Sequence, residues 1–171
     1  MTTATQIDGQ GDPLAVFPPD AEEVLARLEQ DEFWKPSEEP AMRVLRKGLL
    51  PVMSGEELAL LRQALLEDDR DLIQGFTTEP LPYPHTLREP VAAACLTAFG
   101  PWKTRGLETV GQVEDAFAAR AVEIDARLGE PAACGWLWRW WDHTDRERVR
   151  AKLLIEIGKE LAARAALQGG G

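Results

Sequence analysis

The segment Cys134-Gly-Trp-Leu-Trp-Arg-Trp-Trp-Asp-His143 constrains the fold more than any other part of the chain. Four of the six tryptophans, Trp136, Trp138, Trp140 and Trp141, fall within it. Wound as a helix at about 100° per residue, Trp136, Leu137, Trp140 and Trp141 share an arc of about 140°. Trp138 lies just beyond one edge of that arc and Arg139 on the far side. Each indole can bury some 150–250 Å². A helix with four of them needs cover on more than one side, from other elements of the chain or from a partner. With 171 residues, 44% of them hydrophobic, the chain is long enough to supply a sizeable core.

The remaining patterns are helical. Asp20 with Glu23, Ser54 with Glu57, Thr109 with Gln112 and Thr144 with Glu147 have capping-box spacing. The first opens a helix with Val24, Leu25 and Leu28 on one side, ending before Pro36. Residues 36–40 (PSEEP) read as a linker, followed by a short helix Ala41–Lys47 closed by Gly48. Leu58, Leu61, Leu65 and Ile73 form the stripe of a helix from Ser54 to about residue 73, stopped by Gly75. A short apolar helix runs from Pro90 to Phe99, ended by Gly100-Pro101. Val110, Val113, Phe117, Ala121, Ile124 and Leu128 are spaced three and four apart, and Gly129 suits the position after a helix. Pro131 starts the tryptophan helix, 130–142. Val149, Leu153, Ile157 and Leu161 mark a last helix to about Leu167. No period-2 alternation appears. The expectation is an all-α, irregular bundle of five to seven helices, with 20–168 as a single domain that could subdivide near 76–90. Residues 1–19 read as a flexible arm and 169–171 as a glycine tail.

Residues 76–90 (FTTEPLPYPHTLREP) are the one long loop. Its alternating Pro80, Pro82 and Pro84 favour extended or polyproline backbone and exclude a helix or a central strand. It reads as an ordered strap over the core, with Tyr83 and His85 as candidate partner contacts.

Charge is unevenly placed. The net charge is −10, but residues 1–40 hold ten acidic and two basic side chains, while 136–171 hold five acidic and seven basic. An acidic segment precedes a nearly neutral body, and it could fold back on Arg146, Arg148, Arg150 and Lys152. The acidic balance argues against a broadly basic nucleic-acid surface and leaves room only for a local contact by the last helix. No apolar run is long enough to span a membrane.

Chemical motifs are sparse. There is no CxxC, HExxH, GxSxG, P-loop or GxGxxG pattern, so neither a metal nor a cofactor is expected. The N-terminal residues match neither a secretory signal nor a transit peptide. Two cysteines, Cys95 and Cys134, fit a cytoplasmic protein with reduced thiols, one buried disulfide being the alternative. His143 between Asp142 and Asp145, or His85, could join a cysteine in a small Cys/His-dependent enzyme.

The stretch Trp140-Trp141, Arg146-Glu147-Arg148 and Leu153-Leu154 is similar to the last part of small helical subunits of CRISPR surveillance complexes, over less than a fifth of the chain. The acidic balance departs from the basic surface of such subunits. The resemblance implies a nucleoprotein subunit that touches phosphate through Arg146, Arg148, Arg150 and Lys152. Without it, the residues point first to a non-enzymatic interaction or adaptor module, working through Trp136, Trp138, Trp140 and Trp141 and through Tyr83 and His85. On that reading Trp138 or a neighbour is exposed and holds a protein partner or a second copy.

Overall fold

The computed structural model describes residues 35–169. The arm, the helix expected after Asp20 and the last two glycines lie outside the described residues. Among the described residues the protein is an all-α bundle with one two-stranded sheet. Helix α1 (Lys35–Val44) continues through a π turn (Leu45–Leu49) into a last turn (Leu50–Val52). Then follow α2 (Gly55–Glu67), β1 (Thr78–Glu79), β2 (Ala93–Ala94), α3 (Leu96–Arg105), α4 (Val110–Leu128), α5 (Cys134–His143) and α6 (Arg146–Gly169).

Two of the expected capping boxes are formed in full. Ser54 accepts from the Glu57 amide while Glu57 accepts from the Ser54 amide, and Thr109 and Gln112 do the same for α4. These exchanges satisfy two of the amides that every helix start leaves without partners. Gly129 ends α4 at φ 66°, as a residue after a helix should.

Other boundaries differ from expectation, each for a local reason. PSEEP is not a linker but part of α1. Pro36 falls in the first turn, where an amide is not needed, and Pro40 is accommodated inside the helix. Gly48 does not close a helix; it is buried in the π turn against α4. A Cβ there would lie 2.8 Å from Ile124 Cγ2, so glycine sets how closely the two elements approach. Helix α2 stops at Glu67, well short of residue 73, because Asp68 turns into the left-handed region at φ 52°. Leu72 then bridges Ala94, and Ile73, expected to end the stripe, donates its amide to the Ala94 carbonyl at 3.0 Å instead. Gly100-Pro101 lies inside α3, which starts only at Leu96 because Ala93–Ala94 pair with Thr78–Glu79 as antiparallel strands. Two-residue strands are too short to show alternation. Thr144 does not open α6. Asp145 does, accepting the Glu147 and Arg148 amides at 2.9 and 3.3 Å.

The core gathers around the tryptophan helix. α1 packs against α5, α2 lies between α3 and α6, and α4 covers α3 and the π turn. One cluster joins Leu45, Leu58, Leu61, Ile124, Leu137, Trp141, Val149 and Leu153, all essentially inaccessible. A smaller cluster of Ala94, Cys95, Ala98 and Val113 sits under α4. One ion pair is buried in this frame. Arg120 donates to Glu57 at 2.9 Å, and both side chains are at most 4% exposed. Gly100 makes room for it, since a Cβ there would meet Glu57 at 3.1 Å.

Candidate functional site

Helix α5 presents its tryptophans to three environments. Trp140 and Trp141 are buried at 3% and 2% exposure, and Trp141 Nε1 donates to the Ile73 carbonyl at 2.8 Å. Trp138 is half-buried, tilted against Phe117 with ring centroids 4.7 Å apart, and its Nε1 donates to the Thr97 hydroxyl at 3.3 Å. Trp136 is 40% exposed. The buried face is therefore rotated away from Trp136 and towards Trp138, because α4 and the start of α3 reach round to cover Trp138. Periodicity alone placed Trp136 inside the apolar arc.

Trp136 stands at the edge of an open groove of about 460 Å³ between α1 and α5. Arg43, Arg46 and Lys47 line it from α1, with Glu39 on the same helix and Glu130 before α5. Arg43 pairs with Glu130 at 2.8 Å. Arg46 reaches Glu156 with two bonds, at 2.8 and 3.0 Å. The Glu156 hydrogen bond holds the Arg46 guanidinium above its ordinary value. These groove residues were missed by the sequence reading, which took Arg43, Arg46 and Lys47 as part of a short helix without noting that they share its outward side.

On the opposite flank of α5 lies a second, smaller pocket of about 120 Å³. Phe76, Phe117, Trp138 and Trp141 line it, with Cys95 and Asp142. The segment after α2 is fastened to the end of α5 by four hydrogen bonds. Gln74 donates to the Trp141 and Thr144 carbonyls, Trp141 donates to Ile73, and the Gly75 amide donates to Asp142 Oδ1 at 2.9 Å. These bonds fix the pocket wall on which the Asp142 carboxylate sits. Phe76 is 57% exposed at the rim. Of these residues Trp138 and Trp141 stood out in the sequence as partner contacts, and Asp142 and Cys95 as parts of a Cys/His-dependent site. Phe117 was read only as part of a helical stripe.

The thiols are poorly placed for nucleophilic work. Both cysteines are free and buried. Burial pushes the Cys95 thiol up to about 12, with the Asp142 and Glu114 carboxylates adding to the effect. Burial also raises Cys134 to about 12, aided by Asp125. Neither is a thiolate at neutral pH. His143 is exposed at the end of α5, and His85 is exposed in the loop, stacked on Tyr83 at 5.7 Å. Among the described residues no group of three or more His, Cys, Asp or Glu side chains is placed to hold a metal ion.

The proline loop is an ordered strap. Thr86 is buried within it; its hydroxyl donates to the Leu81 carbonyl and accepts the Tyr83 amide. Leu87, Glu89 and Val91 then bond across to Gly111, Val110 and Glu108 at 2.9–3.0 Å. Tyr83, at 53% exposure, and His85 stand on its outer side. They stack on each other, and neither is among the residues that line the groove or the pocket beside the tryptophan helix.

The four basic residues expected to touch phosphate, all in the first two turns of α6, engage the chain itself. Arg146 holds Asp68 at 2.8 Å and the Asp69 carbonyl at 3.1 Å. Arg150 holds the Leu65 carbonyl at 2.8 Å. Arg148 and Lys152 reach Glu38 at 2.5 and 3.5 Å. Glu38 belongs to the acidic first 40 residues, so at this one carboxylate the acidic segment does fold back on α6. Comparison with protein-family models, with curated proteins and with solved structures returns no match. Among the described residues no helix is long and apolar enough to cross a membrane.

Proposed function

We propose that the protein is a non-enzymatic helical interaction module whose α1–α5 groove receives an acidic stretch of a partner protein. The observation that carries this reading is Trp136, exposed where the other three tryptophans of α5 are buried or half-buried, and bordered by Arg43, Arg46 and Lys47. Tryptophan and arginine are the residues that most often dominate binding energy at interfaces. The Arg43–Glu130 pair is exposed on both sides, at 37% and 47%. Such surface pairs contribute at most about 1 kcal/mol, so a partner carboxylate can displace Glu130 at little cost. Two free thiols fit a cytoplasmic setting for this complex. The nucleoprotein reading draws less support, because phosphate would compete with bonds that Arg146, Arg148, Arg150 and Lys152 already make. The enzyme reading draws less still, because both thiols are held protonated.

The test places a photo-crosslinking amino acid at position 136 and, separately, at exposed Val122 on α4, in cells of the native source. The expected result is an adduct at 136 to an Asp- and Glu-rich segment, absent at 122 and lost when Arg43→Glu and Lys47→Glu are added. Identical adducts at both positions, or none at 136, overturn the reading.

A further inference from the structure

We propose that the pocket on the other flank of α5 binds a small organic cation, a quaternary or methylated ammonium head. The groove discussed above plays no part in this site.

Four aromatic side chains from three parts of the chain converge on the pocket: Phe76 after α2, Phe117 on α4, and Trp138 and Trp141 on α5. Aromatic rings attract cations through their negative faces, tryptophan most strongly, and the attraction grows when the site is sheltered from water. The same wall carries one carboxylate. Asp142 Oδ1 is occupied by the Gly75 amide at 2.9 Å, which positions the group without neutralising it. Among the described residues no basic side chain lines the pocket. The start of α3 also faces it, and a helix start favours anions. There, however, the Ala98 amide is already taken by the Cys95 carbonyl at 3.1 Å. Asp142 and Glu114 both push the Cys95 thiol further towards its neutral form beyond the effect of burial, so the field of these two carboxylates disfavours negative charge there.

Size narrows the ligand. An apolar cavity of about 150 Å³ takes up a benzene ring. At about 120 Å³ this pocket suits a trimethylammonium head, with the rest of the ligand leaving past the exposed Phe76. Methylation spreads the charge over an apolar surface and lowers the cost of leaving water, which is what an aromatic lining with one carboxylate selects for. The same head occurs on free choline-like molecules and on trimethylated lysine side chains.

The experiment titrates the full chain with choline, with its neutral carbon isostere 3,3-dimethylbutan-1-ol, and with N-acetyl-trimethyllysine amide, following the indole resonances and calorimetric heat. Saturable binding of a methylated ammonium compound is expected, about tenfold tighter than the isostere. Asp142→Asn, which keeps an acceptor for Gly75, and Phe117→Leu should each weaken it by about tenfold with the helical circular dichroism unchanged. Whichever cation binds more tightly identifies a free small molecule or a modified side chain as the source. Equal binding of the isostere, or no saturable binding of either cation at millimolar concentration, overturns the proposal. The photo-crosslinking result at Trp136 is unaffected either way.

Discussion

Single residues decide how closely the elements approach, and Gly48 is the sharpest case. Its position after Arg46-Lys47 reads as a helix end, since glycine ends helices more often than it sits inside them. Its actual role depends on a residue 76 positions away, Ile124, which no local pattern can show. Ile124 is fully buried, and its β-branched side chain on a helix has essentially one rotamer, so the Cγ2 methyl cannot swing aside. Gly48→Ala should therefore destabilise the protein by about 1–3 kcal/mol, although alanine is otherwise favoured by about 1 kcal/mol in a helix. Urea denaturation checks this. Adding Ile124→Ala should cost less in the Gly48→Ala background than in the parent, because the crowding has gone. A Gly48→Ala protein as stable as the parent would falsify the close-approach argument. The Glu57–Arg120 pair makes the same point for charge. Glu57 was legible as half of a capping box, but its buried arginine lies 63 positions away on α4.

At the scale of elements, legibility follows how local the cause is. The Ser54 and Thr109 capping boxes, the glycine after α4, the stripes of α4 and α6 and the Leu58, Leu61 and Leu65 part of the α2 stripe rest on neighbours within four residues, and each appears where the spacing places it. Boundaries set by tertiary contact were misread. α2 ends early where Asp68 turns and accepts from Arg146, and α3 is shifted because Ala93–Ala94 pair with Thr78–Glu79. The start of α6 shows how close two local readings can be. Thr144 and Asp145 are adjacent, and both are good caps, but Thr144 already ends α5 and is buried, with its carbonyl accepting from Gln74. Asp145 is left to bind the free amides. Asp145→Ala should then lose about 1 kcal/mol of stability, and Asp145→Asn, which keeps an acceptor, only a few tenths. Thermal melts of the two variants separate cap loss from any change at the α5 end. The candidate sites follow the same rule. Their helix of origin was legible, but which tryptophan is exposed depended on α3 and α4 covering Trp138.

For the whole molecule, charge pairing across elements sets the response to acid. A net charge of −10 invites the view that acid should relieve repulsion and stabilise the fold. The individual carboxylates argue otherwise. Burial alone would raise the Glu156 carboxyl, but hydrogen bonds from Arg46 and Lys159 outweigh it and hold the group below its ordinary value of 4.5. The Arg146 bond lowers Asp68, and the amides of Cys134 and Ala132 lower Asp125 against the effect of burial. A carboxyl lowered by folding contributes stability that is complete above its unfolded value and is lost as pH falls through its folded one. Glu114 has the opposite sign, since burial raises it, and its ionised form is a liability at neutral pH. Asp68 is about half exposed, so solvent screens its share, whereas the Glu156 side chain is only 6% exposed and ties α6 to the π turn. Stability towards urea should fall as pH drops from about 5 to about 3, with Glu156 a main contributor. Glu156→Gln should be less stable than the parent at pH 7, and the difference should close as pH falls through the carboxyl's lowered folded value and the parent's own group is protonated. Glu114→Gln should gain on the parent as pH rises through the raised value. A Glu156→Gln deficit that stays constant down to low pH would assign the effect to packing and remove charge pairing as its cause.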